Sequence, residues 1–188
     1  MLQLPEKFVL FDTEYTAWSD SKATDWGGPN EHREIIQIGA IGVDLTAFSE
    51  TDAFSAFVRP LKNPQLSGFI IELTGITQSD VDSGASFSDV FTRFSDFVGT
   101  RPAYCWGRDV DVFDENCLLT GETRRLPREQ YHDLKPIIVP SLEARGIDEV
   151  QYSSGTLYRA FDLPETRKAH DALNDMRNLL DALRALSA

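Results

Sequence analysis

Runs of apolar residues, and the polar residues that interrupt them, predict alternating strands and helices along this chain. The first run, Phe8 to Phe11, is unbroken and ends abruptly in acidic residues, as expected of a buried strand. A second segment, residues 34 to 45, is largely apolar on both faces. The pattern predicts strands at 7–14, 34–45, 52–59 and 102–106. It predicts helices at 66–73, 87–99, 109–120, 155–162 and 171–187.

Two acids follow the first apolar run directly. Asp12 and Glu14 lie two positions apart, and because side chains alternate along a strand, both point to one face. Two carboxylates at the end of a buried strand repel each other and are costly to desolvate unless cations neutralise them. Magnesium or manganese would do so. Taken alone, the pair is equally well explained by a strand end that runs into solvent.

The last predicted helix carries a histidine and an acid five positions apart. Its apolar residues recur with helical spacing from Ala172 to Leu186, and Asp171 suits its N-cap. His170 then lies just outside the helix and Asp175 about one turn inside it, so one helix end presents a base and a ligand. A surface histidine, and an acid that favours the positive end of the helix dipole, would give the same pattern.

A further acid follows the short strand that stops at Gly107. Asp109 begins the next predicted helix, and Phe113 and Cys117 follow it at i+4 and i+8. Asp109 therefore lies near the inward face of the helix, whereas Asp111 points more outward. We take Asp109 as the candidate ligand and Asp111 as the reserve. A plain N-cap role for Asp109 is the alternative.

Together these segments resemble the DEDDh family of 3′ to 5′ exonucleases, within the ribonuclease H-like superfamily. The resemblance runs from about Phe8 to about Leu183 and rests on Phe11-Asp12-Thr13-Glu14-Tyr15-Thr16, Leu73-Thr74-Gly75-Ile76-Thr77, Asp109 and His170-x-Ala172-x-x-Asp175. Many members have a His-Asn pair before the middle acid, and roles that depend on that pair are not transferred. The approach Trp106-Gly107-Arg108 looks more like the branch of histone-mRNA 3′-end exonucleases and a bacterial sporulation-pathway inhibitor.

The resemblance implies a fold and a metal centre. The fold is an α/β, ribonuclease H-like mixed sheet of five strands, three antiparallel plus parallel crossovers, flanked by helices. The metal centre holds two divalent cations, Mg²⁺ or Mn²⁺, about 4 Å apart. Asp12 would bridge both, Glu14 and Asp175 would hold the cation that carries the nucleophilic water, and Asp109 would serve the second.

The same resemblance implies how the chain acts on its substrate. His170 would take the proton of the water as general base, a task that suits an imidazole because its pKa lies near neutral pH. The expected substrate is single-stranded nucleic acid, with RNA favoured over DNA by resemblance only. Tyr15, Thr16, Arg167 and Lys168 are the candidate substrate-binding residues. A DNA proofreading or repair exonuclease, and a non-catalytic regulator of the same fold, are the alternatives.

The net charge limits how the chain can bind nucleic acid. The 188 residues carry 18 Lys and Arg against 30 Asp and Glu, a formal net charge of −12. Since phosphate binding depends on cations, we expect weak affinity for long nucleic acid and a local positive charge from the two metals. Basic clusters, either substrate contacts or solvated faces, lie at Arg124, Arg125, Arg128 and Lys135, and at Arg167 and Lys168.

Length and composition predict one domain over residues 1–188, and the resemblance implies that it is an exonuclease domain. The N-terminus lacks a signal-peptide pattern and the chain lacks a run of about 18 apolar residues, so we expect a cytoplasmic protein. Cys105 and Cys117 are expected to be reduced core thiols. The polar segment 17–33 is long for a connection, and Trp18 and Trp26 either stack on bases or anchor the loop. Oligomeric state is not predicted.

Overall fold

The structure, a computed structural model, describes residues 2–188, and within them five strands form one mixed sheet in the order β3-β2-β1-β4-β5. The strands are β1 (Lys7–Tyr15), β2 (Ile35–Asp44), β3 (Ser49–Phe57), β4 (Ala103–Cys105) and β5 (Tyr131–Asp133). Strands β1 to β3 pair antiparallel, β4 runs parallel to β1, and β5 runs parallel to β4. The predicted five-stranded mixed sheet is therefore confirmed.

Helices connect and cover the sheet. They are α1 (Ser21–Thr24), α2 (Gly68–Thr74), α3 (Gln78–Ser83), α4 (Phe87–Val98), α5 (Asp109–Thr120), α6 (Lys135–Glu143) and α7 (Ala172–Ser187), with 3₁₀ turns at Glu149–Gln151 and Leu157–Phe161. The predictions of α2, α4, α5 and α7 are confirmed to within two residues. Across residues 2–188, no helix is long and apolar enough to cross a membrane.

Five elements were not predicted, namely α1, α3, α6, β5 and the 3₁₀ turn Glu149–Gln151, and one prediction was partly wrong. The segment expected as a helix at 155–162 forms the 3₁₀ turn Leu157–Phe161. Strand β5 has three residues, too few for an alternating pattern. Helix α6 contains Pro136 in its first turn, where proline is tolerated, and Pro140 inside, where a proline argues against a helix in a sequence pattern. Helix α3 has six residues, too few for a full apolar stripe.

Strand β1 is apolar along its length because the sheet is covered on both faces. Val9 and Phe11 pack in one cluster with α4 and α5, where the Phe11 ring lies 5.5 Å from that of Phe94. Phe8 and Leu10 pack on the other face with α6 and α7. Burial of each such side chain contributes roughly 1.5–3 kcal/mol. Both cysteines are buried and free, as predicted.

Helix α7 crosses the sheet at very close range over Gly39 of β2. A Cβ at Gly39 would lie 2.2 Å from the backbone nitrogen of Leu173 and 2.3 Å from the carbonyl carbon of Ala172. These are backbone atoms, which cannot move aside cheaply, so only glycine fits here. Gly39 pairs with Asp12 across β1 and β2. The first turn of α7 is thereby held over the acidic end of β1.

Candidate functional site

A cavity of about 500 Å³ opens at the acidic end of β1. Asp12, Glu14, His170 and Asp175 line it together. Asp109 is buried beside them, hydrogen-bonded to Thr13, the residue between the two β1 acids. The structure thus brings together all five residues predicted from three distant segments.

Asp12 and Glu14 share one face of β1, and each is 8 % exposed. Burial, followed by the charges of Asp109, Asp175 and Glu14, raises the pKa of Asp12 well above its usual value. The Ser154 hydroxyl donates a weak hydrogen bond to Asp12 Oδ1 at 3.4 Å. Burial, followed by the charge of Asp175, likewise raises the pKa of Glu14. The Glu14 carboxylate accepts no hydrogen bond from residues 2–188.

Asp109 is held in place by Thr13. Its Oδ1 accepts hydrogen bonds from the Thr13 backbone nitrogen at 3.1 Å and from the Thr13 hydroxyl at 2.6 Å. Burial raises the pKa of Asp109 to about 6, although the bonds from Thr13 act in the opposite direction. The N-cap alternative is wrong, because Arg108 occupies the N-cap position of α5. Asp111, the reserve ligand, points outward and pairs with Arg108 and Arg128 instead.

His170 and Asp175 are joined by the turn that starts α7. The backbone nitrogen of His170 donates to Asp175 Oδ1 at 3.0 Å, and Asp171 caps the helix as predicted, accepting from the Asn174 nitrogen at 2.9 Å. His170 has a φ of +64°, a left-handed conformation that is uncommon outside glycine. One donor atom from each of Glu14, His170 and Asp175 lies within 4.8 Å of the others.

The ionisation of this pair suits acid–base chemistry. Burial, followed by the charge of Lys168, lowers the pKa of His170, so the imidazole is neutral at neutral pH and can accept a proton. Burial raises the pKa of Asp175 to about 7, despite the hydrogen bond from the His170 backbone. In the absence of a cation the carboxyl cluster therefore holds protons that a cation would displace.

Sequence reasoning missed the residues that position the cluster. Gly155 packs against Asp175, since a Cβ at Gly155 would lie 2.2 Å from Asp175 Oδ1. Asn178 of α7 donates from Nδ2 to the Gly155 carbonyl at 3.0 Å and so fixes the loop that carries Ser154. These contacts join residues far apart in the sequence, and no local spacing indicates them.

Sequence reasoning also missed Gln37 of β2, which is hydrogen-bonded to the first residues of α7. Its Nε2 donates to Asp171 Oδ2 at 3.0 Å, and its Oε1 accepts from the Ala172 nitrogen at 3.0 Å. Gln37 is buried and pairs with Glu14 across β1 and β2. A polar amide in an apolar strand, Ile-Ile-Gln-Ile, is the signal that could have revealed it.

Of the four candidate substrate-binding residues, Tyr15 lines the cavity, whereas Thr16, Arg167 and Lys168 are not among its lining residues. Tyr15 is half-buried and lines the cavity. The Thr16 hydroxyl is buried, donates to the His32 carbonyl and accepts from the Glu34 nitrogen. The predicted role of Thr16 stays a prediction.

The other two predicted contacts both have partners within the protein. Arg167 pairs with Asp181 at 2.7 Å, and Lys168 Nζ donates to the Thr74 carbonyl at 3.2 Å. Their contact with substrate would require these bonds to be exchanged for bonds to phosphate. It too stays a prediction.

The basic residues that line the cavity belong to none of the predicted basic clusters. Lys22, Arg33 and Arg108 line the cavity. Arg33 pairs with Glu115, whereas Arg108 is highly exposed and makes one long ion pair with Asp111. The predicted cluster Arg124, Arg125 and Arg128 is engaged with Glu122, Asp111 and Asp114 on the surface.

The segment 17–33 forms one wall of the cavity. Trp26 anchors it: Nε1 donates to the Thr16 carbonyl at 3.0 Å, and the ring packs edge-on against Tyr15 with centroids 5.5 Å apart. The Arg33 guanidinium lies 5.1 Å from the centre of the same ring. The anchoring role is therefore confirmed for Trp26. Trp18 lines the cavity, and its stacking on bases stays a prediction.

The raised carboxyl pKa values predict an unusual pH dependence of stability. Unfolded carboxyls titrate near about 4, whereas Asp109 and Asp175 titrate at about 6 and about 7 in the folded protein. Between these values the folded protein binds more protons than the unfolded chain, so the free energy of unfolding falls as pH rises. His170, whose pKa is lowered, acts in the opposite direction, but one imidazole is outweighed by the carboxyl groups.

We therefore expect the melting temperature of EDTA-treated protein to be lower at pH 8 than at pH 5.5, by about 2–4 °C for each kcal/mol lost. Surface carboxyls with lowered pKa values, such as Glu122, are ionised throughout this range and do not contribute. Adding Mn²⁺ at pH 8 should raise the melting temperature again. Calorimetry that shows a higher melting temperature at pH 8 without metal would contradict the buried, repelling cluster.

Comparison with known proteins identifies a family and several relatives that this chain resembles. Residues 9–183 match the exonuclease family (RNase_T). ERI1 exoribonuclease 2 from Homo sapiens is 31 % identical over 96 residues, covering 51 % of this chain. The 3′-5′ exonuclease crn-4 from Caenorhabditis elegans is 23 % identical over 171 residues, covering 81 % of this chain. The chain spans 13 % of the length of the human relative and 56 % of the nematode one.

Solved structures show the same architecture. The nuclease domain of 3′hExo, a DEDDh family member bound to rAMP, superimposes with a TM-score of 0.80 at 23 % identity. The alignment covers 100 % of this chain and 94 % of that domain. The predicted ribonuclease H-like fold is confirmed.

Proposed function

This chain belongs to the exonuclease family, and from that membership and its site we propose a metal-dependent exonuclease that shortens single-stranded nucleic acid from the 3′ end, with RNA favoured. The observation that carries the proposal is the convergence of four buried carboxylates and one neutral imidazole on one cavity. We propose that residues 1–188 act as one exonuclease domain. We place it in the cytoplasm, in keeping with two free, buried thiols.

The residues present fit two divalent cations. Asp12, Glu14, Asp109 and Asp175 supply oxygen donors, which Mg²⁺ and Mn²⁺ prefer. Burial raises the pKa values of all four, and none of them forms an ion pair with Lys or Arg within residues 2–188. When bound, two cations polarise the scissile phosphate, activate water and stabilise the leaving oxygen. Both Mg²⁺ and Mn²⁺ meet these requirements, and the assay below compares them.

The protein's own groups then perform three tasks. His170 is a neutral base that accepts the proton of the attacking water. Thr13 fixes the Asp109 carboxylate with two hydrogen bonds, so this ligand needs no reorganisation. Arg108 and Lys22, at the cavity rim, are placed to contact substrate phosphates. A few such contacts suffice for a short single-stranded end.

RNA is favoured as substrate because relatives of this chain are named exoribonucleases and a structural relative was solved with rAMP. A DNA exonuclease would use the same acids and differ only in contacts to the sugar. A purely regulatory protein is disfavoured, because that role requires none of the five residues and all five are present at the cavity.

Digestion of 5′-labelled RNA and DNA strands of equal sequence tests the proposal. With Mg²⁺ or Mn²⁺ we expect a ladder of products that shorten one nucleotide at a time, with RNA degraded faster and EDTA stopping the reaction. Internal fragments without a ladder would indicate an endonuclease. No cleavage of either strand with either metal would refute the proposal.

The hydrogen bonds from Gln37 to the start of α7 predict that a second substitution at Asp171 restores the activity lost on substitution of Gln37. Gln37→Glu puts a carboxylate against that of Asp171, and we expect kcat to fall about tenfold, equivalent to about 1.4 kcal/mol, because His170 and Asp175 shift with the helix start. Adding Asp171→Asn supplies an amide donor to the new carboxylate and still caps α7, so most activity should return. Steady-state kinetics of wild type, Gln37→Glu and the double variant measure the effect: a double variant as impaired as Gln37→Glu refutes the positioning role.

A further inference from the structure

Glu14, His170 and Asp175 form a donor set of mixed chemistry within the cavity. One donor atom from each residue lies within 4.8 Å of the donor atoms of the other two. Among residues 2–188, these are the residues of the His, Cys, Asp and Glu types that form a group of three at this spacing. The set combines two carboxylates with one imidazole nitrogen. Magnesium rarely accepts a nitrogen ligand in proteins, whereas zinc readily binds histidine together with carboxylates. The chemistry of the three donors therefore favours zinc over magnesium at this set of residues.

Two further observations indicate that these side chains are available to a ligand. Glu14 is 8 % exposed and points into the cavity, and its carboxylate accepts no hydrogen bond from the described residues. His170 is held in a left-handed backbone conformation, and its ring makes no hydrogen bond to any residue from 2 to 188. A buried carboxylate and an imidazole without protein partners are costly unless something else satisfies them.

Resting on the proposed exonuclease function, we propose that Glu14, His170 and Asp175 bind Zn²⁺ in an inhibited form of the enzyme. Three protein ligands with one open position are a common zinc arrangement, with ligand distances of about 2.0–2.2 Å. For nitrogen-containing sites, affinity for Zn²⁺ also exceeds that for Mn²⁺.

Inhibition is expected because the three proposed zinc ligands are also the general base and two of the ligands of the catalytic cations. While His170 ligates zinc, its nitrogen lone pair is engaged and cannot accept a proton. Glu14 and Asp175 are at the same time withdrawn from the cations that support cleavage. Zn²⁺ should therefore inhibit at concentrations well below those of the Mg²⁺ present, and excess Mn²⁺ should relieve the inhibition.

The direct test is calorimetric titration of Zn²⁺ and Mn²⁺ into the substrate-free protein. The variants are wild type, His170→Ala and, as a matched histidine control, His132→Gln, whose ring lies beside Tyr104. We expect His170→Ala to weaken Zn²⁺ binding by at least about a hundredfold, since loss of a group that only orients a ligand already costs about 10–100-fold, while Mn²⁺ affinity changes little. His132→Gln should bind both metals as wild type does. Melting temperatures verify that each variant is folded.

A second readout is the visible absorption of bound Co²⁺, which reports its coordination geometry. Wild type and His132→Gln should give the same spectrum, and His170→Ala a different, weaker one. Equal Zn²⁺ affinity in wild type and His170→Ala, or identical Co²⁺ spectra, overturns the zinc site. Neither measurement uses nucleic acid, so failure here leaves the digestion ladder intact, and failure of the ladder leaves the zinc result intact.

Discussion

Asp12→Asn should abolish cleavage, with kcat lower by at least about a thousandfold. Asp12 lies among Glu14, Asp109 and Asp175, and their charges all contribute to its raised pKa. It is thus the acid in electrostatic contact with every other carboxylate of the cluster. Loss of its charge should weaken the binding of both cations and the alignment of the phosphate. Single-turnover digestion of 5′-labelled RNA measures the effect.

The same substitution should raise stability in the absence of metal. It removes one charge from a buried, mutually repelling set, so the melting temperature with EDTA should exceed that of wild type at pH 8. Asp111→Asn is the matched control, because this acid lies close by in the sequence but pairs with arginines on the surface. The control should keep its activity. Near-normal activity in Asp12→Asn would remove the assigned site.

His170→Ala should lower kcat by about 10² to 10⁴, the usual contribution of a general base. The four carboxylates remain, so the affinity for Mn²⁺ should change little. A lower kcat with unchanged Mn²⁺ affinity is expected if His170 is the general base, and not if it is a ligand of the catalytic cations. Single-turnover kinetics and Mn²⁺ titration, with His132→Gln as control, give the two quantities.

Unchanged turnover in His170→Ala would leave the carboxylate cluster intact and remove only the base. Loss of Mn²⁺ affinity together with turnover would instead make His170 a ligand for the catalytic metal. The expected result is lower turnover with Mn²⁺ affinity retained.

The parts of the fold that were predicted correctly have strong local patterns. Strand β1 is apolar on both faces because helices cover both, and α7 shows a clear apolar stripe behind an Asp N-cap. Strand β5 and helix α6 lack such patterns. The first has three residues, and the second contains prolines that its tertiary position tolerates. Long periodic elements are predictable, whereas short ones depend on neighbours remote in the sequence.

The candidate site likewise contains residues that the sequence predicted and residues that it did not. Its five chemical residues were predicted because their order and spacing along the chain resemble the motifs of the DEDDh family, although each segment alone also allowed a structural role. Gly39, Gly155 and Gln37 were not, since their importance arises only where α7 meets the sheet and the loop before it. The basic residues that line the cavity, Lys22, Arg33 and Arg108, lie singly in polar segments of the sequence. Composition cannot distinguish them from other charged surface residues.

Diffraction from crystals soaked in Mn²⁺, recorded near the manganese absorption edge, tests the central claim most directly. We predict two anomalous peaks about 4 Å apart, both within coordination distance of carboxylates from Asp12, Glu14, Asp109 and Asp175. Absence of peaks at this cavity, with the four carboxylates facing apart, would contradict the account.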